Sequence, residues 1–436
     1  MNGRRRLLVD PDPPPIEPGR VEIIWSPPPG GSSLVTTLDP GLGVLGELPA
    51  ANGDAVRLAV LVFIADRTLK RPRDWTRAIE LELPVTDTAR WHAQADAIES
   101  TLARLTSDDW TVSFITDDAD GAKPDATVPG GEEPEFAADL VCLLSGGADS
   151  MCGAIRALHD GRRPVFVSHW DAPSTAAHQK EVVRLLADQF GDGGFDHIQV
   201  RLGAVKKQVG GNVSFPDEPS RRSRSLLFIA LGLASAAALD NVQLWIPENG
   251  YASLNPPLTP ERMGALSTRT TDPLFLERTS AFLAEVGAHA DLTNPYADAT
   301  KGEMFADVAT RVGSETASRL LSATHSCANP RLALQYGYGP GFPCGACFGC
   351  LVRRAAFVAA DIQDGTDYLV TTLNGDRFDE FFDNNIDDFR AMRHAVARGI
   401  SATDVLALNL PDGYSLDRAA DLLKRGLAEL AAVELT

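Results

Sequence analysis

The chain has 436 residues, more than one small core organises, so two or three folding units are expected. Hydrophobic residues make up 44%, an ordinary globular share, and no apolar run reaches membrane-spanning length. The 40 basic and 59 acidic residues leave a net charge of −19, which argues against broad nucleic-acid binding. With the basic Met1–Arg6 start lacking a signal-peptide core, the expected location is cytoplasmic.

Residues 1–20, rich in proline and arginine, read as a flexible arm. From 21 to 115 the pattern predicts an N-terminal α+β domain, with strands at Val21–Trp25 and Val56–Ile64. Ile79-Glu80-Leu81-Glu82-Leu83 alternates, which predicts an antiparallel sheet with one solvated face. Trp91, Ala95, Ile98, Leu102 and Leu105 share one helical face, and Trp110, Val112 and Phe114 alternate again. No cluster of catalytic residue types lies here, so the domain reads as a scaffold or docking module. The acidic, glycine- and proline-rich stretch 116–135 reads as a linker.

Asp139–Leu144 is almost unbroken apolar sequence, the signature of a strand buried on both faces of a parallel sheet. Ser145-Gly146-Gly147-Ala148-Asp149-Ser150 follows, and Cys152, Ile155 and Leu158 then recur at helical spacing. Strand, glycine-rich turn and helix N-terminus together cradle phosphates: the glycines let backbone amides approach and the helix end adds partial positive charge. No Gly-Lys-Ser/Thr ending is present, so this is a different class of phosphate loop. Strands at Pro164–Val167, Ile198–Val200 and Val242–Ile246 alternate with helices at Glu181–Phe190 and Leu226–Leu239. The expected fold is α/β, a doubly wound parallel sheet with its ligand beyond the strand C-termini. Arg221-Arg222-Ser223-Arg224-Ser225 leads into the second of those helices, and Glu248-Asn249-Gly250-Tyr251 follows the strand ending at Ile246. Ser253–Asp272 reads as a loop over the strand ends, and Thr300 caps a helix from Lys301 to Val312.

The string S-G-G-x-D-S after a buried strand resembles the PP-loop of the N-type ATP pyrophosphatases. That resemblance implies ATP cleavage between the α and β phosphates, adenylation of a carboxylate or carbonyl oxygen, and displacement of AMP by a nucleophile. It implies that Leu144, Ser145, Gly146, Gly147, Ala148, Asp149, Ser150 and Met151 hold ATP, with magnesium between phosphate oxygens. It also implies catalytic roles for Ser145, Asp149, Ser150, Arg224 and Lys301, the two cations facing the nucleotide.

Cys327, Cys344, Cys347 and Cys350 can close a tetrahedral site with no position left for water, hence a structural metal. A four-thiolate iron–sulfur cluster is chemically admissible as well. Cys142 and Cys152 read as small buried hydrophobes. Ser326-Cys327, then Cys344-Gly345-x-Cys347-x-x-Cys350-x-x-Arg353, ending near Phe357, resembles the zinc site of the QueC family, the 7-cyano-7-deazaguanine synthases. Asn294-Pro295 through Thr300-Lys301-Gly302-Glu303 resembles another segment of that family, and the likeness runs over about residues 138–360. It implies zinc on the four cysteines within a PP-loop domain over 136–364, and a small 7-deazaguanine-type carboxylate as the group adenylated. Met151 stands where the family usually has threonine, and the family's pocket string with a Tyr-Pro-Asp-Cys core is absent.

With its front domain and a helical extension over 365–436, the chain is more similar to the enlarged QueC-like proteins of bacterial anti-phage systems, the QatC and type IV CBASS kind. This implies an ATP-dependent carbon–nitrogen ligase, with an amine on a partner protein as one acceptor and a homodimer as one assembly. A tRNA-modifying PP-loop enzyme and a non-catalytic nucleotide-sensing subunit stay open as alternatives. In the extension, Phe378–Phe389 is acidic and aromatic, and Leu422, Leu423, Leu427 and Leu430 are expected to pack on the core or a partner.

Overall fold

A computed structural model describes residues 6–8, 21–22, 34–38, 42, 45, 48–72, 76–117, 137–204, 218, 220–256, 258, 269–328, 332–339, 341–374 and 387–433. Most of the arm, nearly all of the linker 116–135, residues 257 and 259–268 of the loop Ser253–Asp272, and 378–386 of the acidic-aromatic stretch lie outside these. The strands are β1 (Arg6–Leu8), β2 (Val21–Glu22), β3 (Leu34–Thr36), β4 (Ala78–Val85), β5 (Asp109–Thr116), β6 (Leu140–Leu143), β7 (Pro164–Trp170), β8 (Asp196–Ala204), β9 (Gln243–Trp245) and β10 (Leu292–Thr293). The helices used below are α1 (Ala50–Thr68), α2 (Ala95–Thr106), α3 (Ala148–His159), α4 (Pro173–Phe190), α5 (Arg224–Ala238), α6 (Pro273–Glu285), α7 (Lys301–Val312), α8 (Phe348–Ala359), α9 (Asp387–Arg398) and α10 (Leu416–Ala431).

The first sheet has the order β2-β1-β4-β5 and is parallel throughout. This corrects three expectations. β1 lies inside the arm expected over 1–20. The alternating Ile79–Leu83 does not sit in an antiparallel sheet: β4 pairs in parallel with both neighbours, and Leu81–Val85 are all buried. The chain between β4 and β5 is helical, and a strand–helix–strand crossover returns the second strand parallel to the first. Val56–Ile64 is not a strand but the middle of the 19-residue α1, where Val56 and Leu58–Ala65 are all buried. A helix apolar on every side shows no 3.6-residue stripe, so a short window of it reads like a buried strand.

The second sheet has the order β10-β9-β6-β7-β8-β3, parallel except for β3, which runs antiparallel to β8. From β6 the chain steps outward to β7 and β8, then crosses back to β9 and β10. The order therefore reverses between β6 and β9, and ligands of such sheets bind beyond the strand C-termini at that reversal. Helix α1 packs between this sheet's α5 and strand β4, and Phe63, Ile64, Val141, Val167, Leu231 and Phe282 belong to one core cluster. A buried ion network reinforces the junction. Arg77 Nη2 donates to Asp66 at 2.7 Å and to Asp108 at 2.5 Å, and Ser223, just ahead of α5, donates to Asp66 at 2.9 Å. Burial pushes the Asp66 carboxyl up, but Arg77 outweighs it and holds the carboxyl below its ordinary range.

Helices α9 and α10 form a second core with α8 and the four cysteines. Met392, Leu422 and Leu423 are fully buried there, with Leu427 and Leu430 beside them, so those leucines pack on the core. Among the described residues, no helix is long and apolar enough to cross a membrane.

Candidate nucleotide site and metal centre

The loop after β6 lies at the sheet reversal. Gly146 has φ +86°, a left-handed conformation that glycine adopts without strain, and the turn delivers the chain into α3 at Ala148. Ser145 Oγ accepts from the Gly147 amide at 3.3 Å, and Ser150 Oγ donates to the Gly147 carbonyl at 2.9 Å, which fixes the loop from within. A cavity of about 300 Å³ opens above it. Ser145, Gly147, Ala148, Asp149 and Ser150 form its floor, and Glu248, Asn249, Lys301, His325 and Phe348 are among its walls.

Lys301 is buried and its Nζ stands 2.7 Å from Asp149 Oδ2. It is the first residue of α7, whose start is fixed by a full capping box: Thr300 Oγ1 accepts from the Glu303 amide and Glu303 accepts from the Thr300 amide. Burial alone would lower the Lys301 pKa, but the carboxylates of Asp149 and Glu248 outweigh it and hold the ammonium above the ordinary lysine value. Glu248 goes the other way. Burial first, then the adjacent Asp149, pushes its carboxyl well above the usual glutamate range. Asn249 bridges the two acids, its Nδ2 lying 3.0 Å from Glu248 Oε1 and 3.4 Å from Asp149 Oδ2. The other oxygen of Asp149, Oδ1, is buried with no partner. Close packing makes this cluster: a Cβ at Gly153 of α3 would lie 2.1 Å from Pro247 Cγ, so only glycine lets α3 sit this near the end of β9.

The structure thus brings Ser145, Asp149, Ser150 and Lys301 together at one cavity. Leu144 and Met151 are fully buried behind the loop, and Gly146 is buried within it. Arg224 does not line the cavity. It begins α5, its Nη2 lies 3.3 Å from the His169 carbonyl, and its guanidinium lies over the Phe228 ring. Burial pushes its pKa below the ordinary arginine value, against the opposing pull of Asp171.

Sequence reasoning passed over Glu248, Asn249 and His325 as site residues. For the first two a signal existed: an acid–amide pair directly after the strand on the far side of the sheet reversal. None marked His325, which is held by its own amide donating to the Gly146 carbonyl at 3.0 Å. Its ring stacks on His178 with centroids 4.8 Å apart; burial and then that neighbour push its pKa down to about 4.

The four cysteines are buried, and all their sulfurs lie within 4.8 Å of one another. Sulfurs at tetrahedral zinc, each 2.3 Å from the ion, stand about 3.8 Å apart. Cys344 to Cys350 and Cys327 to Cys347 each measure 3.9 Å, so the set fits one ion such as zinc without rearrangement. Backbone amides point at the sulfurs, Cys347 N to Cys344 Sγ at 3.3 Å and Ala328 N to Cys347 Sγ at 3.4 Å, as suits thiolates. Arg353 locks the knuckle to the segment before Cys327, donating to Thr324 Oγ1 at 2.8 Å and Ser326 Oγ at 3.4 Å.

No protein-family model matches the chain. Among curated proteins, 7-cyano-7-deazaguanine synthase 1 of Sphingopyxis alaskensis is 28% identical over 250 residues, which is 52% of this chain and 97% of that protein. The 7-cyano-7-deazaguanine synthase of Novosphingobium aromaticivorans is 28% identical over 240 residues, 52% of this chain and 93% of the relative. That of Myxococcus xanthus is 25% identical over 252 residues, 52% and 96% respectively. About half of this chain thus accounts for nearly the whole of each relative.

Proposed function

We propose that this member of the QueC-like family is an ATP-dependent, AMP-forming ligase that activates the carboxylate of a 7-deazaguanine-type base and passes it to a nitrogen nucleophile. The observation that carries the reading is Lys301 Nζ, 2.7 Å from Asp149, in one cavity with the glycine loop at the start of α3 and with Glu248. ATP would lie with its phosphates on the Ser145–Ser150 turn, where loop amides, the α3 N-terminus and Lys301 all favour negative charge. A base carboxylate oxygen attacks the α phosphorus, and the bond to the bridging oxygen breaks. Lys301 stabilises the departing pyrophosphate. The nitrogen lone pair then attacks the acyl carbon, the bond to AMP breaks, and the nitrogen gives up a proton to leave an amide. The protein's part is positioning and fixed charge rather than covalent chemistry.

Magnesium fits at Asp149 Oδ1, buried and unpartnered, beside Glu248, where it would neutralise phosphate charge. Zinc fits the four cysteines as a folding element, behind the cavity wall that Ser326, Ala328 and Phe348 supply. In this reading residues 136–364 carry the chemistry, 21–115 brace it, and 365–436 close over the zinc knuckle. The segments additional to the relatives favour a macromolecular acceptor, an amine on a partner protein, since ammonia needs no docking surface. A docked chain end would have high effective concentration at the adenylate. In this reading the protein works in the cytoplasm within an anti-phage defence system, as a homodimer. The test is intact-mass analysis after incubation with ATP, magnesium, 7-carboxy-7-deazaguanine and proteins encoded beside this chain. A partner gaining the mass of the base by amide formation supports the reading. A free nitrile made from ammonia alone, with no partner modified, rejects the protein acceptor.

A further inference from the structure

We infer that Glu429, on the C-terminal helix α10, is a positioning residue for Lys301, so that the extension completes the nucleotide site from behind. The capping box of Thr300 and Glu303 already satisfies the start of α7. A further carboxylate nevertheless sits there. Glu429 accepts from Thr300 Oγ1 in a short hydrogen bond and from the Gly302 amide at 3.0 Å, gripping the residues on either side of Lys301. The same helix face adds Arg425, which donates to the Glu303 carboxylate at 2.5 Å and to the Asp298 carbonyl at 3.0 Å; the Arg418–Asp298 pair further along α10 is solvent-exposed and lies outside this grip. The approach needs glycine at 302: a Cβ there would fall 2.4 Å from Glu429 Oε1 and 2.8 Å from Ala359 Cβ.

Two consequences follow for the site. Lysine has four side-chain torsions, so its ammonium is held at Asp149 only if its backbone is held too; Glu429 fixes that backbone from the side opposite the cavity. A helix N-terminus also attracts anions. With Glu429 bound to it, the α7 N-terminus is already occupied by a carboxylate, so a phosphate is drawn to the α3 end and to the Lys301 ammonium instead. The extension thereby sets which of two neighbouring helix ends receives the nucleotide.

The turnover arm of the test rests on the ligase reading; the labelling arm does not. The full chain, zinc-loaded, is compared as wild type, Glu429→Ala, Glu429→Gln and Arg418→Ala. Zinc content and thermal midpoint serve as fold controls. Lys301 acetylation by an amine-reactive ester, without ATP, is read by peptide mass. Glu429→Ala should label Lys301 on the order of 10-fold faster and lose on the order of 10- to 100-fold in kcat for AMP formation, with KM for ATP within about 3-fold. Glu429→Gln keeps the volume and one acceptor oxygen and should fall between, while Arg418→Ala, which removes an exposed pair on the same helix, should match wild type. If Glu429→Ala loses its fold, Glu429→Gln decides alone. Wild-type labelling of Lys301 in Glu429→Gln and in any folded Glu429→Ala overturns the inference, as does a kcat loss that only tracks zinc loss. If wild type forms no AMP, the ligase reading fails and the labelling rates alone judge Glu429.

Discussion

Replacing Glu248 by glutamine should make the ATP-free protein more stable as pH rises, while abolishing turnover. The reason is the Glu248 carboxyl itself, pushed well above its ordinary value by burial and then by Asp149. A carboxyl whose folded pKa exceeds its unfolded one contributes stability that is complete below the unfolded value, 4.5 here, and lost as pH climbs towards the folded value. Within that window the loss runs at about 1.4 kcal/mol per pH unit from this one group. Lys301 does not add to it, because its pKa is held above the ordinary lysine value and it stays charged throughout. Glutamine has nearly the same shape, can still accept from Asn249, and cannot ionise. The stability difference between variant and wild type should therefore widen by about 1.4 kcal/mol for each full pH unit inside the window and level off only above the folded value. Urea unfolding of both proteins from pH 4.5 to 8, zinc-loaded and without nucleotide, measures it. Parallel stability curves would refute the buried, acid-crowded environment assigned to Glu248.

Asp149→Ala should leave the fold intact but cut AMP formation by about 10³-fold, since it removes the partner of Lys301 and the unpaired Oδ1 at the loop; turnover within a few-fold of wild type contradicts this. Cys347→Ser should lower bound zinc from about one ion per chain to almost none and loosen the core shared with Leu422, Leu423 and Met392, because structural zinc supplies folding energy. Metal analysis and limited proteolysis read that change, and an iron chromophore in the wild type would count against the zinc assignment. Phe63→Ala in α1 should destabilise the whole protein by about 3–5 kcal/mol, since Phe63 shares one core with the catalytic sheet. A separate low-temperature melting step for the front segment, with the rest unaffected, would show that this core is not shared.

The half that the relatives cover was legible because its signals are local and chemical. A continuous apolar strand, two glycines and a helix start fix the PP-loop within a dozen residues, and four cysteines fix the metal knuckle by spacing alone. The structure brings Asp149 within 2.7 Å of Lys301, 152 residues further along the chain, and no periodicity encodes that distance. The front segment misled for a physical reason. Val56 and Leu58–Ile64 are buried between α5 and β4, which blurs the helical stripe, and the alternation of Ile79–Leu83 reports side-chain spacing rather than strand direction. Glu248 and Asn249 became site residues only once β9 was found beside β6, and Glu429 only once α10 was seen docked on the start of α7.

The central claim is that this cavity cleaves ATP after the α phosphate on behalf of a base carboxylate. The direct measurement is product analysis with α-labelled ATP, magnesium and 7-carboxy-7-deazaguanine, run beside a reaction lacking the base. The account predicts labelled AMP with an equal amount of pyrophosphate, formed only when the carboxylate is present and lost in Asp149→Ala. Labelled ADP, or AMP formed at the same rate without the base, would contradict it.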